Sequence, residues 1–166
     1  MNDKEKGIVV NTSPWIALSV CGQVPLLRKL YTDVYVPFSV KEEILAGGKQ
    51  GIGVNELKEC PWLKIEKVID FEKVRLLYEL EQGEAEVIVL AKEKKIKKVL
   101  IDEKVARLQA RILGLDVIGT LGLLLKAKRK GLVSPIKPLI KKILDNDIWI
   151  KDEIVQGILR DAGEKY

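Results

Sequence analysis

Histidine is absent from the 166-residue chain. That absence removes Ser-His-Asp and Cys-His catalysis and every histidine-based metal site. Cysteine is nearly absent too. Cys21 and Cys60 are too few for a disulfide scaffold and are not spaced as a zinc knuckle. They read as two small buried or half-buried side chains. No apolar run approaches the roughly 20 residues that span a bilayer. Met1 to Lys6 is polar and highly charged, and Asn11 interrupts the apolar run Ile8-Val9-Val10. No signal-peptide segment is recognised, and a cytoplasmic location is expected. Chemistry in this chain must come from carboxylates, lysines, hydroxyls or a bound hard metal.

What is present is a globular mixture, 47% hydrophobic and 32% charged, of a length suited to one domain with one core. The net charge of +5 is unevenly spread. Lys126 to Lys142 holds seven basic and no acidic residues; Lys92 to Arg111 holds eight basic and three acidic. A basic second half suits a phosphate-bearing partner. High charge content also suits the solvated Lys/Glu surface of a heat-stable protein, and composition alone does not choose between them.

Short apolar runs alternate with helical patterns. Ile8-Val9-Val10, Val34-Tyr35-Val36, Val99-Leu100-Ile101 and Asp116-Val117-Ile118 read as buried strands, with an edge strand within Trp62 to Val68. Ser13 before Pro14 reads as an N-cap for a helix to Cys21, and Pro25 opens another with Leu26, Leu27 and Leu30 inward. Ser39 is expected to cap a helix that Gly47-Gly48 breaks, and the glycine-rich segment through Gly53 reads as a flexible loop before a short helix, Val54 to Cys60. A helix over Phe71 to Leu80 is expected to bury Phe71, Val74, Leu77 and Tyr78. Gly83 starts an apolar helix. Val105, Leu108 and Ile112 form the core stripe of the next one, and Thr120 caps another. Ser134-Pro135 repeats the cap-plus-proline start, and Asp152 to Asp161 closes the chain. Strands alternating with amphipathic helices predict a parallel sheet covered on both faces.

In such a sheet, ligands sit beyond the carboxyl ends of the strands. Asn11, Thr12 and Ser13 follow the first strand there, and Asp102 and Glu103 follow the Val99 strand. Acidic residues near helix starts, Glu42 and Glu43, then Glu84 and Glu86, are placed to join them. Oxygen donors from separate segments suit Mg²⁺ or Mn²⁺. Each acid also has a plain structural role: Glu84 at a helix start favours the helix dipole, and Asp102 is placed to cap the helix after it. Gly51-Ile52-Gly53 lacks the third glycine of a dinucleotide site, and the Gly47–Gly53 loop lacks the Gly-Lys-Ser/Thr ending of a phosphate loop.

Val10-Asn11-Thr12-Ser13-Pro14, Val36-Pro37 with Val40 and Glu43, Gly83-Glu84-Ala85-Glu86 with Leu90-Ala91, Leu100-Ile101-Asp102-Glu103 and Gly119-Thr120-Leu121-Gly122 together resemble a PIN-like family. Order and spacing agree over nearly the whole chain, and the ending Ile158 to Glu164 resembles a subgroup described as nucleic-acid-binding. The resemblance implies a three-layer α/β/α sandwich with a central, mainly parallel sheet. It implies a single PIN-like domain over residues 1–166, with 134–166 as a C-terminal helical extension. It further implies a single-strand-specific endoribonuclease using Mg²⁺ or Mn²⁺, in many cases the toxin of a toxin–antitoxin pair. Carried over, Asn11 stands at the first aspartate position, Ser13 at the hydroxyl position, Glu43 at the helix glutamate, Glu84 at the third acidic position and Asp102 at the fourth, with Glu103 as a supplement. Asn11, Glu84, Asp102 and Glu103 are the metal ligands so implied. Asn11 departs from the pattern: it keeps a carbonyl oxygen but removes one negative charge. That leaves a weaker site, a site using another acid such as Glu86, or an inactive site serving as a binding module. Lys104, Arg107 and Arg111 recur along one helix face, placed either to grip RNA phosphates or to form a solvated surface. An antitoxin protein and a second copy of the chain are the further partners implied, with the apolar C-terminal helices either forming a dimer interface or packing on their own domain.

Overall fold

The computed structural model describes residues 4–47 and 51–166. Five strands form: β1 (Glu5–Val10), β2 (Tyr31–Pro37), β3 (Leu63–Glu66), β4 (Lys98–Leu100) and β5 (Asp116–Ile118). They form one all-parallel sheet in the order β3-β2-β1-β4-β5. Val9 pairs with Tyr35 on one side and Val99 on the other, and Val99 pairs onward with Val117. Ile8, Val9, Val10, Val99 and Leu100 are fully buried. This is why these strands carry no polar alternation: both faces are covered. Each such side chain contributes roughly 1.5–3 kcal/mol by leaving water.

The helices are α1 (Thr12–Val20), α2 (Pro25–Leu30), α3 (Phe38–Leu45), α4 (Val54–Lys58), α5 (Phe71–Leu76), α6 (Gln82–Lys94), α7 (Lys104–Ile112), α8 (Thr120–Arg129), α9 (Lys137–Asp145) and α10 (Asp152–Asp161). They flank the sheet, giving the three-layer α/β/α arrangement. The central one is α6, buried continuously from Gly83 to Ala91 and packed across β1, β2 and β4. On the C-terminal side, α9 packs on α1 and α10 on α8, and their buried residues join the same core as the sheet. Glu164 fastens this end. Its carboxylate accepts from Lys128 Nζ (2.7 Å) and from the backbone N–H of Ile136 and Lys137 (2.8 and 2.9 Å).

Several expectations change. The first helix starts at Thr12, with Asn11 rather than Ser13 in the capping position and no side-chain cap bond. Ser39 lies inside α3, which starts at Phe38 after Pro37. The expected breaker Gly48 and part of the glycine-rich loop lie outside the described residues. The helix after Asp70 ends at Leu76, and of its expected core residues Val74 is buried, Leu77 half-buried, and Phe71 and Tyr78 exposed. Gly119, not Thr120, occupies the capping position of α8. The C-terminal Ser134-Pro135 pair precedes α9 by two residues, and Pro138 is the proline of its first turn.

The largest correction is α7. Val105, Leu108 and Ile112 are exposed at 43%, 55% and 67%. Ala106 and Ala110 face inward instead. Two alanines four residues apart make a narrow ridge that lets the helix lie close against α6 and β5. The period inferred from the sequence is helical, but the phase is set by these small residues and by Arg107, which turns back to the Ile101 carbonyl (2.8 Å).

Candidate functional site

The chain runs outward from β1 through β2 to β3, then returns across β1 to β4 and β5. The reversal of order falls between β1 and β4, the place where open α/β sheets form a crevice. Asn11 stands directly after β1, and its backbone N–H donates to Leu100 O at the end of β4 (3.1 Å). Its side chain is only 5% exposed. Beside it lies Gly83, at the start of α6. A Cβ at Gly83 would meet Glu43 Oε1 at 3.2 Å and Asn11 Oδ1 at 3.7 Å. The missing side chain therefore lets an amide oxygen from the β1 end and a carboxylate from α3 approach the same spot.

Glu84 is the next residue and is buried. It forms a capping box with Glu81, its Oε1 accepting from Glu81 N–H (3.1 Å). Burial pushes its carboxyl above the usual range, and the negative charges of Glu103, Glu81 and Glu43 push the same way. Glu84 thus feels acids from both flanks of the crevice. Thr12 is buried and its hydroxyl oxygen has no hydrogen-bond partner.

Asp102 follows β4 by two positions. It does not cap α7; Glu103 does, its Oε2 accepting from Ala106 N–H (2.8 Å). Asp102 reaches across to the start of α8. Its Oδ1 accepts from Thr120 N–H (2.7 Å) and its Oδ2 from Thr120 Oγ1 (2.5 Å). Gly119 gives the room: a Cβ there would lie 2.9 Å from Asp102 Oδ1 and 2.7 Å from Arg107 Nη1. Burial and the neighbouring Arg111 draw Arg107 below its usual range, with Asp102 opposing them.

Of the residues singled out from sequence, Asn11, Glu43 and Glu84 come together, with Glu103 near enough to act on Glu84. Asp102 stands at the same sheet end but is engaged by Thr120. Ser13 is exposed in the first turn of α1. Lys104 and Arg111 are exposed, whereas Arg107 is half-buried and committed to Ile101. The sequence reading missed the partner role of Thr120 and the openings at Gly83 and Gly119. Thr120 was findable: it is a polar residue just past a strand end, like Asn11 and Asp102.

A family model described as a PIN domain matches residues 7–164. The chain belongs to the PIN domain family. No curated protein matches it. Membership suggests a nuclease-like function and nucleic-acid binding for this PIN domain, and PIN domains generally depend on a divalent metal. Among the described residues, no helix is long and apolar enough to cross a membrane.

The donors of this PIN domain fit a hard cation in kind. Asn11, Glu43, Glu84, Asp102 and Glu103 offer oxygen only, from separate segments, and the Gly83 opening lets two of them converge. They are not gathered into a ready-made cage: among the described residues, no three of His, Cys, Asp and Glu are grouped to hold an ion. Asp102's bonds to Thr120 and the neutral Asn11 are the two local reasons.

Proposed function

We propose that this PIN domain is a Mg²⁺- or Mn²⁺-dependent endoribonuclease that hydrolyses phosphodiester bonds of single-stranded RNA. The observation that carries the reading is the meeting of Asn11 and Glu43 over Gly83, beside a buried Glu84 that feels acids on both flanks. Asn11, Glu84, Asp102 and Glu103 would hold the cation. When bound, it would lower the pKa of a water and offset the negative charge of the phosphodiester. Glu43 shares the electrostatic load and holds the Asn11 side of the site. Ser13, on the exposed first turn of α1, orients a ligand or water. Asp102 serves twice, as a ligand and as the anchor of α8 through Thr120. In this reading the chain is a cytoplasmic, heat-stable toxin of a toxin–antitoxin pair, with an antitoxin protein and a second copy of itself as partners. An antitoxin-like reading frame beside the gene would support that part.

Purified protein is expected to cut single-stranded RNA with Mn²⁺ and to lose that activity on adding EDTA. Asp102→Asn is expected to abolish cutting. Wild type and Asp102→Asn equally inert over a panel of RNAs would remove the nuclease reading. The second reading, a PIN module that binds nucleic acid or protein without cutting, is favoured by the neutral Asn11 and by Asp102's commitment to Thr120. Persistent RNA binding without turnover would select it.

A further inference from the structure

A cleft of about 620 Å³ opens between α3, the start of α6 and the Lys67–Phe71 segment. Glu43 and Gly83 form part of its wall, so it borders the candidate active site. Its volume is within the range of small-ligand pockets. Three features of its lining suit a ligand.

The first is Glu86, only 2% exposed. Among the described residues its carboxylate takes one hydrogen bond, from Gln82 Nε2 (2.8 Å), and forms no ion pair. A buried carboxylate with so little compensation is costly to keep. The second is Ser39, whose hydroxyl oxygen is buried without a partner. The third is aromatic. Phe71 lines the cleft and is 46% exposed, and Phe38 lines it too, with the Lys67 and Lys41 ammonium groups 4.7 and 5.3 Å from its ring centroid.

The cleft therefore combines an open aromatic ring, a cationic end and an edge of carboxylates, Glu42 and Glu86. That combination matches a nucleotide: a base to stack, a phosphate to neutralise and a base edge to read. Carboxylates accept hydrogen bonds and cannot donate. Guanine alone among the RNA bases presents two adjacent N–H donors, N1–H and the N2 amino group, on its Watson–Crick edge, one each for Glu42 and Glu86. Uracil offers one N–H, at N3, flanked by two carbonyl oxygens that carboxylates repel. We infer that this cleft is a base-specificity subsite that holds a guanine of single-stranded RNA. The inference rests on the nucleic-acid-binding reading above and adds the identity of the base.

Guanine stacks on Phe71, Glu42 and Glu86 take its Watson–Crick donors, and Lys67 faces the backbone phosphate.

The test uses 5′-GMP and 5′-UMP titrated into the metal-free chain by calorimetry, with cutting of single-guanine RNA oligomers measured separately in Mn²⁺. GMP is expected to bind about tenfold more tightly than UMP, a ratio of the order one well-read base edge supplies. Glu42→Gln and Glu86→Gln should each bring that ratio toward one. Phe71→Leu should weaken both nucleotides by about tenfold, as expected for a lost stacking platform. Glu42 is exposed, so its variant keeps the test valid if Glu86→Gln fails to fold. Equal binding of GMP and UMP to wild type, or an unchanged ratio in a folded Glu42→Gln, overturns the subsite. Selective GMP binding by a chain that cuts nothing leaves the subsite standing and removes catalysis instead. Cutting that ignores the guanine's position, with no GMP preference, removes the subsite and keeps the nuclease.

Discussion

Asn11 is where charge and stability meet. Its side chain is almost fully buried, and its oxygen shares the space at Gly83 with Glu43 Oε1. An amide there adds no charge to a neighbourhood that already raises the Glu84 carboxyl. Asn11→Asp adds a negative group at a cost. In EDTA the variant is expected to be less stable than wild type by about 1–3 kcal/mol, the scale of a poorly solvated polar group. Mn²⁺ should recover more stability in the variant than in wild type, because a ligand that binds only the folded state raises stability by mass action. Urea unfolding with and without Mn²⁺ reads both. A variant as stable as wild type in EDTA would mean that Asn11 does not sit in a negative field. Glu84 offers a second test at this scale. Burial first, then Glu103, Glu81 and Glu43, raise its carboxyl above the ordinary 4.5. The folded state therefore holds this proton more tightly than the unfolded chain. Stability linked to it is full below about pH 4.5 and is lost as pH rises through the folded value. Glutamine does not titrate, yet its amide oxygen can keep the capping bond from Glu81 N–H. Glu84→Gln should thus gain on wild type between pH 4 and pH 7 in metal-free urea unfolding. A loss over that interval would show that the carboxylate is held by an unrecognised cation.

At the scale of single elements, α7 separates periodicity from phase. Its apolar residues fall at helical spacing, but Ala106 and Ala110 carry the contact and Leu108 is 55% exposed. Leu108→Gln should change stability by no more than about 0.5 kcal/mol, as surface substitutions do. Ala110→Leu should cost about 1–3 kcal/mol by overpacking. Thermal unfolding of the two variants decides the orientation; the reverse order would return Leu108 to the core. The same distinction explains what was legible in the sequence. Strands such as Val9-Val10 and Val99-Leu100 could be read because burial on both faces leaves no phase to choose. Helix α6 could be read because its buried side runs from Gly83 to Ala91 almost without interruption. In α7 the phase depends on two small residues, Ala106 and Ala110, and on the contact Arg107 makes with Ile101, which periodicity does not carry. The site divides in the same way. Asn11 and Asp102 were legible as polar residues at strand ends. Gly83 and Gly119 were not, because a glycine's role there is the space it leaves for groups distant in sequence.

For the whole molecule, net charge is a poor guide to where RNA would lie. The basic stretch Lys126 to Lys142 is partly spent within the fold: Lys126 pairs with Glu5, Lys128 with Glu164 and Lys141 with Asp145. Lys128 also donates to Ala162 O (2.7 Å), so it holds the C-terminal end rather than facing a partner. Arg107 is likewise committed, to Ile101 O beside Asp102. Lys104 is exposed at the start of α7, next in the chain to Asp102 and Glu103, and Arg111 is exposed near the other end of the helix. Basic residues in the sequence therefore sort into those that hold the fold and those that can meet phosphate. Binding of a single-stranded RNA measured across salt concentrations tests this sorting. A phosphate contact releases a counterion, so each of Lys104→Ala and Arg111→Ala should reduce the slope of log K against log salt by about 0.7. Lys128→Ala should leave the slope unchanged and instead lower unfolding stability by about 1.5–3 kcal/mol, the range for a hydrogen bond to a charged group, because it leaves Glu164 with only its two backbone N–H partners. If Lys128→Ala changes the slope while Lys104→Ala and Arg111→Ala do not, RNA lies along α8 and α9, and the crevice at the β1 and β4 ends is not where it is held.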